Sequence, residues 1–281
     1  MANWNWRRQM AKRNRSVTKR VREKRRKEGR GVGTGKDYKP ELRIQDVSSI
    51  GLATRVRGWK TGRVHHFLSL LELMVFYLFD WPLRVEDIRE QFPLDLDETK
   101  AIANELGVRH PRDPKTKELV VMTTDFVVTV RNGVNEVVYS YTVKYAKQLP
   151  SRRVMEKFEI ERIYWSRRNV SWRIITERDI NRDVVANVQW IHSHRDLNSL
   201  APITLTTVTE IEKYLAPRLF SQTSPLRILT DESDRAFSLR PGTSLSVVRH
   251  LIANRRIEVD MKTPIQPERI LRLVAKPRVL K

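Results

Sequence analysis

With 281 residues and a 40% hydrophobic content, the chain is long enough for two cored domains. Its 54 Lys and Arg against 33 Asp and Glu leave a formal charge of +21, which points to a polyanionic partner, nucleic acid before an acidic membrane surface. The absence of cysteine excludes disulfides, thiolate zinc sites and a cysteine nucleophile. The first residues carry no apolar signal core. The greasy run Phe67–Leu83 is interrupted by Glu72 and Asp80 and is too short to span a bilayer comfortably. A cytoplasmic protein with no membrane segment is the expectation.

Residues 1–30 hold 13 Lys and Arg against two Glu. An arm with no periodic apolar face orders only on a partner, and dense cations suit phosphate contacts driven by counterion release. The expected DNA-contacting side chains are Arg7, Arg8, Arg13, Lys19, Arg20, Arg25, Arg26 and Arg30, followed by Lys36 and Arg63; a solubilising tail is the alternative. The glycines of Gly29–Pro40 do not make a phosphate loop. Arg30 stands where the first glycine is needed, and Asp37 where Ser or Thr is needed.

Leu42–Trp59 reads as one or two strands. His65–Phe79 reads as a helix apolar nearly all round, hence buried, with Glu72 in its middle. A carboxylate there needs an arginine partner or a cation, and both readings stay open. Leu83–Leu94 is extended and closes with Pro93. Asp95–Leu106 is an amphipathic helix.

Thr123–Lys144 carries the sharpest pattern. Two β-branched runs alternate about Asn132-Gly133, a turn signal. If Phe126, Val128 and Val130 face Val137, Tyr139, Tyr141 and Val143, then Asp125, Thr142 and Lys144 share the other side; a four-residue loop, Asn132–Asn135, sets Asp125 opposite Thr142, and a two-residue turn would slide the strands but keep the parity. That parity matches metal-dependent nucleases, but also an ordinary solvated strand face. Ser151–Arg168 is helical, with Val154, Phe158, Glu161 and Trp165 on one face, and Val170–Thr176 is a strand. The order describes a compact α/β nuclease-like domain ending near residue 180. Beyond it, Val184–His194, Val208–Leu219, Ser221–Thr230 and Thr243–Asn254 read as helices. Arg255–Met261 and Ile270–Val274 read as strands, the outline of a winged helix-turn-helix.

The blocks GRGVGTGKDYKP, KTGRVHHFLSLLEL, DIREQFPL, RHP, TTDF, VK and EKFEIERIYW, in this order, closely resemble the TnsA family of transposon endonucleases from about Gly29 to Ile180. The resemblance implies an α/β fold: a basic arm at 1–30, a restriction-endonuclease-like domain with mixed sheet and flanking helices at 31–180, and a winged-helix domain at 181–281. It implies catalysis by Glu72, Asp125, Thr142 and Lys144. The metal would be held by Glu72, Asp125 and Val143, with Glu161 as an acidic supplement. The family has Gln-Val-Lys where this chain has Thr142-Val143-Lys144. Mg²⁺, with Mn²⁺ as a substitute, is the implied cofactor. The implied activity is cleavage of 5′ strands at double-stranded transposon ends, beside a DDE-type transposase, an AAA+ ATPase regulator and a target-selection or RNA-guided complex, with nucleoid association when active. A stand-alone restriction or repair nuclease, and a non-catalytic DNA-binding assembly factor, are the rival readings.

Overall fold

The computed structural model describes residues 16–47, 53–200 and 202–274, so Arg7, Arg8 and Arg13 lie outside the described residues. The chain forms two compact units. The first holds the described residues up to Glu72 with Glu86–Ile174, the second Leu73–Val85 with the described residues from Ile175 on.

In the first unit the basic arm is not wholly formless. Lys19–Lys27 is helix α1, started by the Thr18 hydroxyl, which accepts from the Val21 N–H at 3.2 Å, and ended by four cations in the last turn, where the helix dipole favours them. It is docked as well as capped. Arg22 donates to the Leu119 carbonyl at 2.6 Å and pairs with Glu118 at 3.2 Å, while Arg25 pairs with buried Glu41 at 3.0 Å. The expectation of order only on a partner fails for these residues because their counter-charges lie within the unit. Next, Gly31 (φ +79) takes a close approach that no other residue permits: a Cβ there would stand 2.2 Å from the Pro93 ring.

Strands β1 (Thr54–Arg57) and β2 (Val64–Phe67) form an antiparallel pair. Helix α2 spans Leu70–Asp80, so the helix expected from His65 begins five residues later and His65–Phe67 is strand. The reason is a capping box, Ser69-x-x-Glu72. The Glu72 N–H donates to the Ser69 hydroxyl at 3.2 Å, and the Ser69 hydroxyl donates to Glu72 Oε1 at 2.8 Å. The Leu68 N–H donates to Glu72 Oε2 at 2.9 Å. Glu72 therefore sits in the first turn of its helix, not the middle.

Strand β3 (Val85–Pro93) leads to helix α3 (Leu96–Glu105), capped by Asp95, which accepts from the Glu98 N–H at 2.9 Å. Strands β4 (Thr123–Asn132) and β5 (Asn135–Val143) are the hairpin, helix α4 is Arg152–Ser166, and β6 is Ser171–Ile175. The sheet order is β3-β4-β5-β6. Pairing runs Phe126↔Tyr141, Val128↔Tyr139 and Val130↔Val137 down to Asn132↔Asn135, so the expected faces and register form although the loop is two residues and not four. Gly133 takes φ +64 in the two-residue turn. One face of the sheet is sealed by Ile102 and Ala103 of α3 and by Ile160, Tyr164 and Trp165 of α4 around Val127. On the opposite face Phe126 meets Phe67 at 6.2 Å between ring centroids. With helices flanking this sheet, the unit fits a restriction-endonuclease-like fold.

The second unit is helical. Helices α5 (Arg182–His192), α6 (Leu205–Ser221), α7 (Leu226–Ala236) and α8 (Thr243–Ala253) bury Val188, Ile191, Ile211, Leu215, Leu226 and Leu251. No helix starts at Ser221, as the sequence suggested; Gln222 closes α6 in a left-handed turn (φ +54) and Pro225 caps α7. Of the two strands expected after α8, one antiparallel bridge, Val259↔Leu273, forms. No helix among the described residues is long and apolar enough to cross a membrane.

Candidate active site

The capping box and the hairpin meet in the first unit. Asp125 stands one step beyond the Phe126↔Tyr141 pair, opposite Thr142, and its Oδ2 accepts the Val143 N–H at 2.7 Å. Between Asp125 and Glu72 lies Gln91 of β3, a residue the sequence did not single out. Its amide nitrogen donates to Asp125 Oδ1 at 3.2 Å and reaches Glu72 Oε2 at 3.4 Å. Its amide oxygen accepts from the Thr123 hydroxyl at 3.1 Å. Only an N–H donor can face two carboxylates this way. Gln91 is 2% exposed and holds φ +48, a left-handed backbone that costs a non-glycine residue about 1–3 kcal/mol. A period-two strand pattern carries no mark of such a conformation, so nothing in the sequence announces it.

Glu72, Asp125, Thr142, Lys144 and Glu161 line one cleft of about 490 Å³. Burial, reinforced by the charge of Asp125, raises the Glu72 carboxyl well above its ordinary value. Burial raises Asp125 too, against the Val143 N–H, the Gln91 amide and the charge of Lys144. A second hollow of about 550 Å³, in the second unit, has Asp260 on its wall, but that carboxylate is engaged by Thr263 and the Lys262 N–H.

Thr142 has partners other than the carboxylate pair. Its hydroxyl is buried, donates to Glu161 Oε1, and accepts from the Trp172 indole N–H at 3.1 Å. Its proton and one lone pair are thus engaged by Glu161 and Trp172. Glu161 also accepts from the Thr124 hydroxyl at 2.7 Å, and Trp165 donates to Thr124 at 2.7 Å. Burial is the largest influence on the Glu161 carboxyl, pushing it up to about 7 despite those hydroxyls. The charge of Asp125 also raises Glu161, which lines the same cleft as Glu72 and Asp125. Its neighbour one turn back, Lys157, was also missed. It lines the cleft, and burial, together with the charge of Lys144, lowers its ammonium. The i, i+4 spacing from Glu161 is the signal that would have found it.

Three of the expected DNA contacts are engaged internally. Arg25 is paired with Glu41, Arg30 with Glu28 and Asp46, and Arg63 with Glu90. Each guanidinium is at most a tenth exposed. Lys19, Arg20, Arg26 and Lys36 are exposed.

A two-carboxylate cleft at the end of a hairpin, with a lysine on the next residue of the chain and helices flanking the sheet, fits a restriction-endonuclease-like build. Residues 83–177 match the family model described as TnsA-like endonuclease N terminal, and residues 179–261 match TnsA endonuclease C terminal. Over 264 residues, 90% of this chain and 90% of the relative, the sequence is 38% identical to the transposon Tn7 transposition protein TnsA of Escherichia coli. The chain belongs to the TnsA family of transposon endonucleases. It is an endodeoxyribonuclease.

Proposed function

We propose that the protein hydrolyses DNA phosphodiesters in a Mg²⁺-dependent reaction, cutting the 5′ strands at transposon ends. The observation that supports this best is the Glu72–Gln91–Asp125 triplet facing Lys144. Two buried carboxylates with one amide between them are short of positive charge. Mg²⁺ is commonly held by one or two carboxylates, with waters and substrate phosphate completing its shell, so the donor set suits it. Glu72, Asp125 and the Val143 carbonyl would be the protein ligands. A bound divalent cation supplies charge neutralisation at the phosphate and a more acidic water.

The chain's own side chains do the rest. Asp125 is aimed by the Val143 N–H and Gln91, and Glu72 by the first turn of α2. Lys144 would orient the attacking water and offset charge developing on the phosphate, with Lys157 as a second cation in the cleft. Thr142 does not act as a ligand in this scheme. It holds Glu161 and is held by Trp172.

A DDE-type transposase, cutting and joining the other strands, and an AAA+ regulator are the proposed partners, with target choice left to a selector or RNA-guided complex. The helical second unit is the docking module, in the manner of a winged helix whose wing is reduced to the Val259↔Leu273 bridge. The site of action is bacterial cytoplasm, on the nucleoid. The test compares purified protein with Mg²⁺ on generic plasmid against the same protein with transposase and transposon ends. Cleavage restricted to the second mixture is expected; efficient nicking of the plasmid alone would favour the stand-alone nuclease.

The exposed cations of the arm give a separate prediction. Replacing Lys19, Arg20 and Arg26 with Gln should flatten the dependence of log K on log salt by about 0.9 for each phosphate that is no longer neutralised. Binding titrations at several salt concentrations read this directly, and an unchanged slope would leave these residues with no DNA role.

A further inference from the structure

The proposed metal reading leaves unexplained why a strand in the sheet holds a non-glycine residue at φ +48 beside the site. The backbone at Gln91 is fixed on its own account, since its carbonyl accepts the Glu41 N–H at 3.1 Å. Its side chain is almost fully buried, yet it is turned toward charge and away from the apolar core. The amide oxygen is pinned by Thr123, which fixes the face the nitrogen shows. That nitrogen addresses one oxygen of each carboxylate, Glu72 Oε2 and Asp125 Oδ1. The remaining oxygens are held separately, Glu72 Oε1 by Ser69 and Asp125 Oδ2 by the Val143 N–H. Glu72 Oε2 is shared between the Leu68 N–H at 2.9 Å and Gln91, and Asp125 Oδ1 has Gln91 as its amide partner, so Gln91 is the one side chain that bridges the two carboxylates.

Resting on the two-carboxylate reading above, we propose that Gln91 is a positioning residue for a divalent cation, clamping Glu72 and Asp125 together so that the unloaded site already has its ligand spacing. Two like charges from different elements would otherwise part. The clamp holds them until a cation takes over the neutralising role, and it is specific to the pair. Glu161, whose hydrogen bonds come from Thr124 and Thr142, is untouched by it.

The experiment is a Mn²⁺ titration of the full chain, read by the electron paramagnetic resonance signal of free Mn²⁺, with thermal melts in EDTA and in Mn²⁺. Wild type binds, and Asp125→Asn binds at least about tenfold more weakly; absence of either result overturns the two-carboxylate reading and this inference with it. Given both, Gln91→Leu, which keeps volume but removes the N–H donors, raises the Kd for Mn²⁺ at least about tenfold. Gln91→Glu places a third carboxylate against the pair, so its melting temperature falls in EDTA and recovers in Mn²⁺ by a larger increment than wild type shows. If both variants melt lower by equal amounts with and without Mn²⁺, and their Kd stays at the wild-type value, Gln91 is only structural and the inference is wrong.

Discussion

Asp125→Ala should leave the protein folded and reduce cleavage about a thousandfold or more. The size follows from the several kcal/mol of phosphate-charge stabilisation that the proposed site would supply, at one factor of ten per 1.36 kcal/mol. Folding is expected to survive because Asp125 is a liability to the unloaded protein: burial opposes its charge, and its charge in turn raises Glu72. Asp125→Asn sharpens the test by retaining an oxygen for the Val143 N–H. It should be as inactive as the alanine variant, yet melt no lower than wild type in EDTA, as expected where function and stability pull apart. The measurement is strand-specific cleavage in a reconstituted excision reaction, beside a thermal melt. Wild-type cutting by either variant would take Asp125 out of the catalytic site.

The second large effect concerns stability. Glu90, next to Gln91 on β3, is 1% exposed and is shared by three groups. Arg63 donates to it at 2.8 Å and His65 pairs with it at 2.8 Å, while the His66 N–H reaches it at 3.1 Å. Burial alone would raise this carboxyl, but the charge of His65 and the hydrogen bonds of Arg63 and His65 outweigh it and hold it far below the ordinary range. Glu90→Gln strands the Arg63 guanidinium, whose side chain is 8% exposed, and should cost about 3–5 kcal/mol, roughly 6–20 °C in melting temperature. The sign with pH follows from the depressed value. The stabilisation is fully present above the unfolded carboxyl's value of about 4.3 and fades as pH falls below it. Wild type should therefore lose stability on acidification through that range, and Glu90→Gln should lose less. Parallel curves would mean that Glu90 does not govern the acid limb.

How much of this was readable from the sequence differs from one element to the next. The hairpin was legible to the register, because a strand has a period of two and a one-residue slip would put Asp125 on the wrong face. Glu72 was found but misplaced, since the apolar run hid the helix start; the capping box Ser69-x-x-Glu72 was in plain sight and would have set it. Gln91 could not be found. Neither its left-handed backbone nor its two carboxylate neighbours, 19 and 34 residues away, leaves a local trace. Three of the arginines hide their partners for a related reason. Arg25, Arg30 and Arg63 look like phosphate contacts until their partners Glu41, Asp46 and Glu90 are seen, 16–27 residues away in the chain and adjacent in space. The burial of Thr142 against Trp172 likewise depends on a strand that parity alone does not place.

The capping box at α2 has an implication for how such chains drift. A carboxylate that only served chemistry would be free to become anything once the chemistry was lost. Here the same side chain also accepts the Leu68 N–H and the Ser69 hydroxyl at a helix start, a task that glutamine performs nearly as well and alanine does not. A descendant that kept its place in a DNA-processing assembly but no longer cut would thus be expected to carry glutamine at position 72. Alanine or valine there would mark a lineage in which the helix start itself had been rebuilt.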